Sequence, residues 1–339
     1  MNKKVLTEIG TSIVNANSIE EEIKSAELLS DFFSHYANSV DEQDAYQTNN
    51  QDIIVPGGIA LSQSEAAVCT KDYLRTARYI KGIFHAIKEL FYHFPNQKIN
   101  ILYAGCGPFA TLLTPLLPLF RKEDITVILL DINEASVRSV KSLLSQLKLM
   151  DYITEIIQTN AITYQKPLSW PMHLLVSETM FRALTLEPQV AITANLLPQL
   201  IENGILIPEQ ISVDLSCSFF SNEPFYKTNG NITGKQQRDQ QRIDTLFSID
   251  KSFAFFKSAT KDHQFESAYY KVPADYDHYP DLCLYTTINI FKNIKLESAE
   301  SFITNPYCIT SISTIADHTF IKLIYNFKDV PNWTYELKK

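Results

Sequence analysis

Two glycines close an apolar run in Ile99-Asn100-Ile101-Leu102-Tyr103-Ala104-Gly105-Cys106-Gly107-Pro108-Phe109. A second apolar run, Val127 to Leu130, ends in the carboxylate of Asp131. Such residues at the ends of successive strands hold a nucleotide-like ligand. Glycines let the backbone approach the ligand, and an acid at the second strand end takes ribose hydroxyls. Tyr103, Ala104, Gly105, Cys106 and Gly107 are the candidates on the first run, Asp131 and Ile132 on the second.

What is missing narrows the ligand. A dinucleotide turn wants a third glycine close to the following helix, but Phe109 and Ala110 stand there. A bulky Phe109 and the lack of a nearby basic residue argue against a pyrophosphate. No Gly-x-x-x-x-Gly-Lys-Ser/Thr occurs either. A cofactor with a ribose and no phosphate fits, and S-adenosylmethionine has that chemistry. Thr159-Asn160-Ala161 follows the next strand-like run. Asn160 either meets an adenine amino group, with the Ala161 N–H on a ring nitrogen, or caps a loop; both readings stand. Glu178 directly follows another apolar run, where ligands are met at a sheet's carboxyl edge.

The elements that must position these residues follow from periodicity. Residues 1 to about 45 read as helical, opened by the capping-box spacing of Ser18-Ile19-Glu20-Glu21. Pro56-Gly57-Gly58 marks a turn. A long helix is expected from about Ser64 to His93. Strands and helices then alternate: strand Ile99–Ala104, a helix after Phe109, strand Ile125–Leu130, helix Glu134–Leu149 capped by Asn133, strand Ile153–Gln158, strand His173–Val176, helix Gln189–Ile201 stopped by Gly204, and strand Ile205–Ile207. That alternation predicts an α/β, doubly wound Rossmann-like domain. After Pro208, strands are expected at Ile211–Phe219, Phe253–Lys257, Phe265–Val272, Leu282–Phe291 and Phe320–Tyr325. One helix-like insert, Lys235–Leu246, interrupts them. The expected division is an N-terminal helical region over 1–95, a cofactor-binding domain over 96–208, and a mostly antiparallel β domain over 209–339 that serves substrate and dimer.

Composition bounds the partners. A net charge of -8 over 339 residues argues against a nucleic-acid surface. No apolar run reaches the length of a membrane span. The five cysteines are scattered, without metal-ligand spacing, as in a reduced cytoplasmic protein that binds no metal.

Three separated stretches make the chain resemble the class I S-adenosylmethionine-dependent methyltransferases, and among them the protein arginine methyltransferase branch. Lys71-Asp72-Tyr73-Leu74-Arg75-Thr76-Ala77-Arg78-Tyr79 is similar to that family's Lys-Asp-x-x-Arg-Thr-x-x-Tyr helix. Ser177-Glu178 through Glu187 is similar to its double-glutamate loop, with the glutamates nine residues apart. Gly204-Ile205-Leu206-Ile207-Pro208 is similar to its junction into a β-barrel domain. The resemblance implies that Arg75 grips the methionine carboxylate of S-adenosylmethionine, chemistry that a guanidinium fork suits. It also implies dimerisation through an arm in the β domain, for which Lys235–Leu246 is the candidate, giving a homodimer.

The chain departs from that pattern at four places. Tyr103 stands where the family has an acid, and Phe109 where it has a glycine. No tyrosine-rich lid precedes Gly57, although Tyr46 lies in that region. The family's Thr-His-Trp loop is expected at Thr304-Asn305-Pro306-Tyr307, with neither His nor Trp. These departures, with the added N-terminal helices, favour a small metabolite or biosynthetic peptide over protein arginine as acceptor, as in natural-product biosynthesis. Glu178 and Glu187 would be catalytic, orienting the acceptor or taking its proton. Glu187 is alternatively a helix N-terminal acid before Pro188. Two further readings remain: an arginine methyltransferase with a divergent loop, and a non-catalytic partner that retains the cofactor fold. His278 is either a surface residue or a group reaching in from the β domain. Phe253-Ala254-Phe255-Phe256 is expected in a core.

Overall fold

The structure, a computed structural model, describes residues 2–44, 51–227, 232–233, 240–252, 254–259, 262–273 and 277–339. Tyr46, positions 235–239 of the expected arm, Phe253 and Tyr276 lie outside the described residues.

Two helices open the chain, α1 (Lys3–Asn15) and α2 (Ile19–Asp44). The expected cap is present between them: Ser18 Oγ accepts the Glu21 N–H at 3.2 Å, while the Glu21 carboxylate accepts the Asn17 N–H at 2.7 Å. The Pro56–Gly57 turn joins a short hairpin, β1 (Ile53–Val55) and β2 (Gly58–Ala60). The helix expected over Ser64 to His93 is instead two helices. α3 (Gln63–Val68) gives way to a 3₁₀ turn, and α4 (Tyr73–His93) starts again after Asp72. Asp72 sits at φ -83°, ψ 77°, outside helical space, because its carboxylate is held by the C-terminal domain.

A parallel sheet follows: β3 (Ile99–Ala104), β4 (Ile125–Asp131), helix α5 (Glu134–Gln146), β5 (Ile153–Gln158), β6 (Met172–Ser177), helix α6 (Gln189–Leu196) and β7 (Leu200–Ile207). Its strand order is β5-β4-β3-β6-β7, and every pair is parallel. β3 and β6 are buried along their whole length, as strands covered on both faces must be. α4 and α5 close one face, with Ile83 and Leu143 against Ile101 and Leu129. α6 closes the other, with Ile192 and Leu196 against Leu102 and Leu130. The chain order reverses at β3 and β6, so their carboxyl ends flank the crevice where such sheets bind ligands.

Local departures have local causes. After Phe109 the chain winds through consecutive turns rather than an α-helix, because Pro115 and Pro118 lack the N–H a helix needs. Pro198 likewise ends α6 early, so Gly204 lies inside β7 rather than stopping a helix. α5 ends at Gln146, and Asn133 caps it by accepting the Ala135 and Ser136 N–H groups.

The remainder is an antiparallel β domain. β8 (Gln210–Ser218) is followed by β9 (Phe225–Tyr226), β10 (Ile232–Thr233), β11 (Gln240–Asp250), helix α7 (Ala254–Ser258), β12 (Gln264–Lys271), β13 (Asp281–Phe291), β14 (Ile294–Leu296), β15 (Tyr307–Ser311), β16 (Phe320–Asn326) and β17 (Asn332–Lys338). One sheet runs β11-β8-β13-β14 with β15 also on β13; another runs β12-β16-β17. The expected helix-like insert is therefore strand β11 where it is described, and the described part of the expected strand at Phe253–Lys257, residues 254–257, lies in helix α7. Phe255 is buried as expected, against Phe247 and Phe265.

The N-terminal helices are built into this frame. Phe33 stacks on Phe109 at 4.9 Å and 4°, and Tyr36 meets the same ring edge-on at 6.3 Å. Tyr36 Oη donates to Ser139 O at 3.1 Å, and Ser30 Oγ lies 3.1 Å from Thr70 Oγ1. Phe33 is fully buried. Phe33→Ala should therefore lower unfolding free energy by about 3–5 kcal/mol, as truncation of a buried aromatic does. Urea denaturation checks this; a loss below about 1 kcal/mol would show the helices to be loosely docked.

Candidate functional site

A cavity of about 600 Å³ opens at the carboxyl ends of β3, β4 and β6. Its wall includes Arg75, Tyr103, Gly105, Cys106, Gly107, Asp131, Ile132, Asn160, Ala161, Glu178 and Glu187. One expected residue is absent from it: Ala104 is sealed into the sheet face against Leu102 and Leu130. Strand alternation explains this, since Tyr103 and Ala104 point to opposite faces.

Gly105 and Gly107 have φ of 69° and 65°, the left-handed conformation that non-glycine residues rarely adopt. A Cβ on Gly105 would lie 2.2 Å from Thr179 Cγ2, whereas one on Gly107 would meet only Ala66 at 3.8 Å. Gly105 thus lets two strand ends close together, and Gly107 leaves the ligand side open. Asp131 shapes the same turn: its Oδ2 accepts the Gly107 N–H and its Oδ1 the Asn133 N–H, both at 2.8 Å. Burial raises the Asp131 carboxyl above its usual range, against those hydrogen bonds. Asn160 Oδ1 accepts the Ile162 N–H at 2.9 Å, so the loop-capping role is present at the cavity wall. Burial pushes the Cys106 thiol well up, which keeps it protonated and a poor nucleophile.

Arg75 is the hub. Its Nη1 donates to Glu178 Oε2 at 2.8 Å and its Nη2 to Cys69 O at 2.7 Å. Its Nε lies 3.8 Å from Asp72 Oδ2, beyond hydrogen-bond range. Burial alone would lower the guanidinium, but Glu178, Cys69 and Asp72 hold it well above its ordinary value. Asp72 Oδ2 is taken by Ser301 Oγ at 2.7 Å and the Phe302 N–H at 2.9 Å. Among the described residues, Arg75 Nε, Asp72 Oδ1 and Tyr79 Oη are buried with no partner. Buried polar atoms cost free energy when unpaired; of these three residues Arg75 and Asp72 line the cavity, so an unmet donor and acceptor lie at its wall.

The two glutamates differ. Glu178 is raised by burial, with Arg75 pulling it back down. Glu187 has no hydrogen-bond partner for its carboxyl among the described residues, and its part-exposed surface faces the cavity. Burial, then the charge of Glu178, pushes it up to about 8. The loop between them is strained: Ala183, Leu184 and Leu186 have φ of 51°, 59° and 65°. Such backbone costs about 1–3 kcal/mol per residue and persists only where surroundings enforce it. Trp333 Nε1 donates to Ala183 O at 2.9 Å, Tyr325 Oη to Leu184 O at 2.7 Å, and the Leu186 N–H to Pro331 O at 2.9 Å. Gln189 Oε1 accepts the Thr179 N–H at 2.9 Å.

Sequence reasoning missed part of the wall. The β1–β2 hairpin contributes Val55 and Ile59; its only signal was Pro56-Gly57-Gly58. The part of that loop on the cavity wall is Phe302-Ile303, not Thr304 to Tyr307. Asn305 is buried instead, exchanging hydrogen bonds with the Tyr226 backbone. His278 is exposed and lies away from the cavity.

No protein-family model matches the chain. No curated protein matches it either. Among solved structures, it is similar to one described as the Trypanosoma brucei PRMT1 enzyme–prozyme heterotetrameric complex with AdoHcy. That likeness has 12% identity and a TM-score of 0.45, and covers 80% of this chain and 96% of that one. At that identity and score the functional weight falls on the site residues themselves. Among the described residues, no helix is long and apolar enough to cross a membrane.

Glu187 makes the site pH-sensitive. Its folded pKa lies above the ordinary 4.5, so its stabilising share is complete below pH 4.5 and is lost as pH rises towards about 8. Ligand-free protein should become less stable across that window, and Glu187→Gln should lessen the fall. Denaturation midpoints of both proteins from pH 5 to 9 check this; parallel curves would refute the assignment.

Proposed function

We propose that the protein is an S-adenosylmethionine-dependent methyltransferase whose acceptor is a nitrogen of a small metabolite or biosynthetic peptide. One observation carries the reading. A single cavity has Arg75, the Gly105–Gly107 turn, Asp131, Asn160–Ala161 and an unpaired Glu187 in its wall. The Arg75 guanidinium suits a carboxylate, Asp131 suits ribose hydroxyls, and among the described residues the wall adds no second cation to meet a pyrophosphate. When bound, the cofactor would supply a methyl group: the acceptor lone pair would form the N–C bond while the C–S bonding pair stays on sulfur, leaving a neutral thioether.

The chain's part is positioning and proton handling. Glu178 is committed to Arg75, which leaves Glu187 to face the acceptor. A cationic amine entering beside Glu187 would favour its carboxylate form, and that carboxylate takes the N–H proton that frees the lone pair. The proton then leaves to solvent, so an ammonium acceptor gives a methylated ammonium and one released proton. Glu187 also sits directly before α6, but its open face on the cavity and its raised pKa favour the proton role over a helix-end acid. Protein arginine is the less favoured acceptor, because a guanidinium clamp needs both glutamates and Arg75 already occupies Glu178.

Calorimetry with S-adenosylhomocysteine and assays with labelled cofactor test this. Wild type should bind, and Arg75→Ala should bind about 10–100-fold more weakly, as loss of charge-assisted hydrogen bonds predicts. Glu187→Gln should bind normally yet transfer methyl about 10²–10³-fold more slowly. No binding by wild type would favour a non-catalytic partner protein instead.

A further inference from the structure

We infer that the acceptor is a singly charged amine on an apolar body, with Phe181 and Phe302 as the residues that select it. The inference rests on the methyl-transfer reading above. Its first observation is charge. The cavity wall carries Glu65, Asp72, Asp131, Glu178 and Glu187 against Arg75 alone among the described residues. Such a site favours a cation and disfavours a carboxylate or phenolate acceptor.

The second observation is the wall itself. Met180, Phe181, Phe302, Ile303 and Val68 line the cavity. Phe302 and Val68 are 41% and 49% exposed, so the rim keeps apolar surface in water. Covering that surface is favourable in proportion to the area removed from solvent. The Phe302 wall is held in place: its N–H and the Ser301 hydroxyl both donate to Asp72, on the turn that leads into α4 and Arg75. Phe181 and Phe302 meet edge-to-face at 5.4 Å.

The third observation limits the acceptor to one charge. The Arg182 guanidinium lies 4.9 Å from the Phe181 ring and 5.9 Å from the Phe302 ring. It has no carboxylate partner among the described residues, and its Nε is buried without a hydrogen bond. A cation behind both rings opposes a second positive charge on the acceptor's tail, and polybasic peptides carry many.

The test uses the full-length protein with S-adenosylhomocysteine bound, titrated calorimetrically with n-alkylamines from ethylamine to hexylamine and with 1,4-diaminobutane. Methylation rates with S-adenosylmethionine are measured alongside. Failure of wild type to bind S-adenosylhomocysteine would be seen first and would overturn the cofactor reading on which the inference stands. If the cofactor product binds, amine affinity should rise about three- to fourfold per added methylene until the cavity fills. Pentylamine should bind at least about tenfold better than the equally long diamine. Phe302→Ala should flatten the chain-length dependence, Phe302→Leu should keep most of it, and Arg182→Ala should narrow the gap between pentylamine and the diamine. A flat series, tighter binding of the diamine, or binding of no amine to the complex would overturn the inference.

Discussion

The structure depends on a buried guanidinium. Arg75 is joined to Glu178 at the end of β6, to the Cys69 carbonyl of the turn before α4, and at longer range to Asp72. Desolvating such charges is costly, and removing one partner strands the other, so the pair holds only while all its surroundings are in place. Asp72 then carries the constraint into the C-terminal domain through Ser301 and Phe302. A break in a helix, a sheet edge and a β-domain loop thus converge on one side chain. The donor and acceptor left unmet beside it are a consequence of that geometry, since Arg75 and Asp72 are each held elsewhere and stop short of each other.

Phe109 shows how a departure from a motif is absorbed. A glycine there would leave the turn free on its outer side. The phenyl ring instead faces away from the cavity and packs between Phe33 and Tyr36 of α2. α2 also reaches Thr70 on the cavity wall and Ser139 on the helix that follows Asp131. It therefore touches the turn, the glycine loop and α5, three segments that frame the cavity, from behind. Helix α2 thus serves as a brace.

The sheet and most of the cavity were legible because their signals are local. Apolar runs ending in Gly105 and Asp131 fix strand ends, and Asn133 caps α5 as its side chain allows. The failures came where tertiary partners outweighed local preference. Ala254–Lys257 has strand-forming aromatic residues but lies in α7, whose Phe255 joins the Phe247 and Phe265 cluster. Gly204 resembles a helix stop but sits in β7, because Pro198 had already ended α6. Nothing in the segment Ala183–Leu186 announces positive φ, since Ala and Leu avoid it. That conformation is enforced by Trp333, Tyr325 and Pro331, far along the chain. The place of Phe302 follows from a hydrogen bond to Asp72, which no sequence spacing records.

That strained loop explains why two glutamates so near in sequence sit in different surroundings. Glu178 follows β6 directly and cannot avoid the guanidinium that α4 presents to it. The chain must then turn through Ala183 and Leu184 before it reaches Glu187, and the C-terminal domain pins that turn in place. Ile59 of the hairpin adds a clamp from the other side, its N–H donating to Leu186 O at 2.8 Å. Glu187 is thereby delivered to the cavity without a cation of its own and within the field of Glu178. Burial raises both carboxyls, but Arg75 pulls Glu178 back down while the charge of Glu178 pushes Glu187 up further. The β domain thus shapes the wall of the cavity, through a backbone conformation it imposes on the loop between the two glutamates.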